Sequence, residues 1–110
     1  MMTTTYNSTK IEGYRHIFTT KRVQIEVDVR EVMMIVSAIR LKEEKEKIQG
    51  LDPFQIFEFK DTKMINKQEL TQDEREFELG HQTTTEKLLC VLGMEEGIGE
   101  YWTIMFPSEY

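Results

Sequence analysis

Apolar and polar residues follow two different periods along this chain, and the change between them falls near Gly50. Before it, Val29, Val32, Met33, Val36 and Ile39 recur at the three- and four-residue steps that put side chains on one face of an α-helix. Asp28 stands at the N-cap position with Glu31 three residues on, and Gly50 followed by Asp52-Pro53 supplies a stop. The spacing predicts a helix from about Val29 into Lys45 or Lys47. Its five apolar positions form one face, while Met34, Leu41 and Ile48, each seven residues apart, form a second stripe well away from it. One stripe is expected to pack on a sheet. The other is either covered within the chain or left for a partner.

After Gly50 the period shortens to that of strands. Phe54–Phe59, Lys63–Leu70, Glu74–Leu79, Lys87–Leu92 and Tyr101–Phe106 each combine β-branched or aromatic residues with bounding turn residues. The short connections predict an antiparallel meander in chain order, and Gly97-Ile98-Gly99 reads as a hairpin turn. Upstream of the helix, Tyr14 to Ile25 has the composition of an edge strand, and residues 1–12 are polar, threonine-rich and aperiodic. The expected fold is therefore α+β, with one long amphipathic helix on an antiparallel meander of four to five strands. A flexible tail over 1–12 would precede a single domain over 13–110.

Alternation also sorts side chains between the two faces of the sheet. Glu74, Glu76 and Glu78 share one face of their strand, with Phe77 and Leu79 on the other. Lys63 and Lys67 on the neighbouring strand are positioned to offset part of that charge. Glu95 and Glu96 in the last hairpin are candidates to extend the carboxylate row. In the last strand Trp102, Ile104 and Phe106 share one face and Tyr101 and Met105 the other, while Leu88 to Leu92 is apolar at every position. A one-helix domain has difficulty covering both sides of such a sheet, so a homodimer or partner contact on the second side is an open alternative.

Composition adds a charge asymmetry. The 110 residues carry a net charge of −6. Residues 1–50 hold nine basic against seven acidic residues, a balance of +2, and residues 51–110 hold five against thirteen, a balance of −8. An acidic second half disfavours direct nucleic-acid binding and favours basic partners, among them the nucleic-acid-binding surfaces of other proteins. A surface kept charged for solubility is the simpler account of a charge of this size, which is common in small soluble domains. The start of the chain has neither a basic nor an apolar signal region and no apolar run is long enough to span a bilayer, so no membrane association and a cytoplasmic location are expected.

Candidate chemistry is sparse. His16 and His81 have no cysteine or carboxylate at local ligand spacing, which argues against a metal site. Cys90 sits in the most apolar strand, where cysteine is usually an inert small hydrophobe. Neither a nucleophile elbow nor a phosphate-binding loop is present. No catalytic residue, metal or cofactor is expected, and a small metal-dependent nuclease built on the abundant carboxylates is the least favoured alternative.

Several short segments together carry a resemblance. They are Phe18-Thr19-Thr20-Lys21-Arg22-Val23, Leu51-Asp52-Pro53-Phe54-Gln55-Ile56-Phe57, Ile65-Asn66-Lys67-Gln68-Glu69, Tyr101-Trp102-Thr103-Ile104-Met105 and the closing Ser108-Glu109-Tyr110. In these segments and their spacing, over about Tyr14 to Tyr110, the chain resembles a small Firmicute family described as staphylococcal protein of unknown function, common on plasmids and prophages. It departs from that pattern in its N-terminal tail and the charged end of its helix. The resemblance implies a non-enzymatic mobile-element protein acting in the host cytoplasm. By analogy, such a protein would bind and block a host nucleic-acid-binding defence or repair protein, for example a CRISPR nuclease, through an acidic surface. A structural or regulatory homo-oligomer using the apolar sheet face is the alternative. The residues singled out are Glu74, Glu76, Glu78, Glu95 and Glu96 for an acidic contact, and Met34, Leu41, Ile48, Tyr101 and Met105 for an apolar one.

Overall fold

The computed structural model describes residues 3–5, 14–49, 52–70 and 73–110, with the side chains of 3–5 and 46–49 excepted. In chain order the elements are β1 (Thr3–Thr5), β2 (His16–Thr20), α1 (Lys21–Glu26), α2 (Val29–Gln49), β3 (Phe54–Lys60), β4 (Lys63–Gln68), β5 (Asp73–Glu78), β6 (Lys87–Glu95) and β7 (Gly99–Met105). A short 3₁₀ turn over Pro107–Glu109 follows. The α+β class and the single long helix are as expected. The sheet is larger and differently ordered: seven strands run β1-β2-β7-β6-β3-β4-β5, with β2 parallel to β7 and all other neighbours antiparallel.

Two corrections follow from that order. All five strands expected after the helix are present, but β6 pairs with β3 instead of β5, so the meander is broken. The connection over 79–86 passes the ends of β4 and β3 to reach its partner. It is held there by main-chain bonds from Leu79 to Thr62, Thr83 to Asp61 and Phe59 to Glu86. The segment Tyr14–Ile25 is strand only as far as Thr20. There Thr20 turns the chain into α1 by accepting the Val23 N–H at 3.2 Å, and Val23 is fully buried from that helix. Thr3–Thr5, expected within a tail, forms a three-residue edge strand paired with Phe18–Thr20.

Helix α2 begins as its cap predicts, with the Asp28 carboxylate accepting the Arg30 N–H at 2.8 Å. Its sheet-facing side is not the one its apolar residues outline. Val32, Ile35, Val36, Ala38 and Ile39 are buried against Phe57, Met64, Leu88, Ile104 and Trp102, but so are Glu31, Lys42 and Glu43. On a helical wheel the centre of the buried arc lies between Ile35 and Ile39, rotated about 75° from the centre of the expected face. Val29 and Met33, expected inside, are exposed at 57% and 40%. Met34, expected on the second stripe, packs against the core.

Each buried charge on α2 among the described side chains has a partner. Glu43 accepts from the Arg40 guanidinium at 2.8 Å, from the Trp102 indole N–H at 3.2 Å and from the Arg15 main chain and side chain. Lys42 donates to Asp73 at 2.6 Å and Gln68 at 2.9 Å, and Gln68 continues through Gln55 to Asn66. Removing one member of such a network leaves the others desolvated without compensation, a cost of about 3–5 kcal/mol. Glu43→Ala is accordingly expected to destabilise the fold by that amount, and Glu43→Gln by less, since the amide oxygen still accepts from the indole. Urea unfolding followed by Trp102 fluorescence measures both. A loss for Glu43→Ala below about 1 kcal/mol, the net value of one ordinary hydrogen bond, would mean that water replaces the carboxylate.

Candidate functional site

The carboxylate row lies on β5, the outermost strand at one edge of the sheet. Burial alternates along it, with Asp73, Arg75 and Phe77 turned toward the helix side and Glu74, Glu76 and Glu78 exposed. Register places Glu74 opposite Lys67, Glu76 opposite Ile65 and Glu78 opposite Lys63. The expected neutralisation is only partial. Lys63 bonds Glu76 at 2.9 Å and approaches Glu78 at 3.9 Å, whereas Lys67 turns away to Glu58 on β3 at 2.9 Å. Glu74 makes no ion pair among the described residues. The hydrogen bonds that Lys63 and Lys67 donate to Glu76 and Glu58 raise their pKa values, so both ammonium groups stay charged throughout the neutral range.

Glu95 and Glu96 are exposed in the β6–β7 turn, where Gly97 and Gly99 take φ values of 91° and 83°, as the hairpin reading requires. They do not extend the row. Three strand spacings across and six residues along separate Glu95 from Glu74, about 24 Å.

The apolar candidates divide as well. On the helix-free face Tyr101 lies over Gly93, where an added Cβ would meet its ring at 3.2 Å, and packs edge-on against Phe18 with 5.4 Å between centroids. A shallow groove of about 360 Å³ runs beside it, lined by Val91, Gly93, Thr103 and Met105. Met105 is on the expected face but 95% buried, so it contributes little to an outer surface. On the outer side of α2, Leu41 is 46% exposed and joins Tyr14, Met33 and the Arg40 stem around a second groove of about 570 Å³. Met34 is absent from that groove, and the side chain of Ile48 lies outside the described residues.

A third grouping has no counterpart in the spacing of the sequence. At the start of α2 the buried Glu31 carboxylate accepts from the Thr85 hydroxyl at 2.5 Å and contacts the His81 Nε2 at 2.9 Å. Asp28 lies beside them, and ligating atoms of Asp28, Glu31 and His81 fall within 4.8 Å of one another. Arg30 holds the Asp28 carboxyl well below the usual carboxylate range, so it is ionised. Local spacing could not reveal this cluster, because its members come from a helix start and a crossover loop fifty residues apart. Cys90, by contrast, is fully buried, and desolvation pushes its thiol well above the ordinary value.

No family model matches the chain, and no curated protein or solved structure matches it either.

Lys42 couples the acidic edge to the helix, and its hydrogen bond lowers the Asp73 pKa. A depressed folded-state pKa contributes stability that is complete above the unfolded value, near pH 4, and is lost as pH falls through the folded value. Asp73→Asn is therefore expected to be less stable than the parent at neutral pH, with the gap narrowing as pH falls below about 4. Urea midpoints across that range measure it, and a gap that stays constant would remove the ion pair as its source.

Proposed function

We propose that this protein works by binding, and that its contact is the β5 edge, offered to a basic segment or groove of a nucleic-acid-binding protein. The observation that carries the reading is the row of Glu74, Glu76 and Glu78 on the solvent face of an edge strand, with Lys63 as its ion-pairing counterion. Carboxylates two residues apart recur at about 6.7 Å along the strand, a regular row of acceptors for basic side chains. A surface of this kind competes for the lysines and arginines that would otherwise hold phosphates. The resemblance to a plasmid and prophage family supports a host defence or repair protein as the partner, a CRISPR nuclease being one instance, and a host cytoplasmic location. Binding without turnover is the mode of action, so the protein is read as an inhibitor and not an enzyme.

A second reading has support in the helix-free face, where Phe18, Tyr101 and Val91 form an aromatic and aliphatic strip. It is a homodimer contact. Light scattering separates the two, because a strict monomer at high concentration leaves the strip without a second copy.

Fluorescence anisotropy with a labelled extended lysine- and arginine-rich peptide tests the first reading directly. Binding is expected to weaken with added salt and to fall by about tenfold at low ionic strength in the doubly substituted Glu74→Lys, Glu76→Lys protein. Glu95→Lys with Glu96→Lys, on the distant turn, is expected to bind nearly as the parent does. Salt-insensitive binding, or equal losses for the two pairs, would overturn the assignment to β5.

A further inference from the structure

Asp28, Glu31 and His81 combine two carboxylates and an imidazole, a ligand set that suits zinc and other borderline divalent ions. The Glu31 Oε2 and His81 Nε2 are 2.9 Å apart, so opening the pair by about 0.4 Å gives the edge of about 3.3 Å that a tetrahedral zinc site with bonds near 2.0 to 2.1 Å requires. Glu31 is 98% buried, and Thr85 fixes its other oxygen, Oε1, in the manner of an outer-shell partner that orients a ligating carboxylate. The imidazole is tethered from one side only. Its Nδ1 is buried without a hydrogen-bond partner among the described residues, so the ring can turn either nitrogen to the carboxylates without breaking a bond elsewhere. Asp28 is held by the Arg30 main chain through Oδ1, and its Oδ2 is engaged by the Arg30 guanidinium, a 62% exposed side chain free to swing into solvent.

We propose that Asp28, Glu31 and His81 form a binding site for a single divalent transition-metal ion, zinc by preference, that ties the start of α2 to the crossover loop. The ion replaces the hydrogen between His81 and Glu31 with two coordinate bonds, and the ring proton moves to the other nitrogen. Water completes the tetrahedron. Because the ligands come from Asp28 and Glu31 on one side and His81 on the other, an ion bound there stabilises the folded chain over the unfolded one.

The test uses the full chain, stripped with chelator and titrated with zinc chloride alone. Calorimetry is expected to show one ion per chain, and thermal unfolding a higher midpoint with zinc than without. His81→Ala is expected to weaken binding by more than about tenfold, a loss seen even for outer-shell partners, while His16→Ala keeps parental affinity. Asp28→Asn is the second variant, since asparagine caps a helix as well as aspartate but is a poorer ligand; it is expected to weaken binding while leaving the circular dichroism spectrum unchanged. Cobalt(II) in place of zinc should give the visible absorption of a four-coordinate site in the parent and lose it in both variants. Absence of saturable binding at micromolar zinc overturns the proposal. So does binding that depends on His16, or binding that survives both His81→Ala and Asp28→Asn.

Discussion

The structure depends on how helix α2 meets the sheet, because its buried face is partly charged. Glu31, Lys42 and Glu43 all point into the interface, and each meets a partner from a different region. Glu31 meets the crossover at His81 and Thr85, Lys42 meets the β5 edge at Asp73, and Glu43 meets Arg15 before β2 and Trp102 on β7. Three such contacts fix rotation, translation and crossing direction at once, since any slip strands a charge in a desolvated place. The apolar residues around them supply most of the burial free energy, about 1.5–3 kcal/mol for each fully buried large side chain. They are interchangeable in a way that the charged residues are not.

That arrangement explains which parts of the fold were legible in the sequence. Strand positions, the split of Trp102 and Ile104 from Tyr101 and Met105, and the alternation along Glu74–Glu78 follow from a period of two that local residues dictate. The rotation of α2 does not, because hydrophobic periodicity counts Glu31, Lys42 and Glu43 as outward-facing and so turns the expected face toward Val29 and Met33. The break in the meander was hidden for a similar reason. The connection over 79–86 has turn composition, and only the pairing of β6 with β3, together with bonds from Thr83 and Thr85 to distant groups, shows that it is a crossover. Helix α1 left a faint signal in Thr20 at its cap, outweighed by the β-branched residues Val23 and Ile25. The candidate site was readable as a row of carboxylates but not in its extent, since the distance of Glu95 and Glu96 from it is set by strand order.

The two sides of the sheet have different demands. On the helix side, Gln55, Asn66 and Gln68 place polar groups near Lys42 at the β3–β4–β5 end, Glu43 gathers Arg15 and Trp102 at the β7 end, and the apolar cluster of Phe57, Met64, Leu88 and Ile104 lies among them. On the other side the strands do divide: ion pairs lie over β3, β4 and β5, and aromatic contacts over β2 and β7. A single edge therefore concentrates charge on both of its faces, and that edge is β5.

An outermost strand paired on one side is ordinarily the part of a sheet most prone to fray. Here both of its ends are tied back to the same helix. Asp73, its first residue, bonds Lys42, and the chain that leaves Glu78 is fastened through His81 and Thr85 to Glu31. The two anchors on α2 are eleven residues apart, about 16 Å along the helix, and β5 with the start of its loop spans a comparable length. Under the proposed function this matters for affinity, because a strand already held straight loses little conformational freedom when a partner docks on it. The carboxylates of Glu74, Glu76 and Glu78 then meet a basic partner at fixed spacing, with the helix acting as the brace that keeps the edge extended.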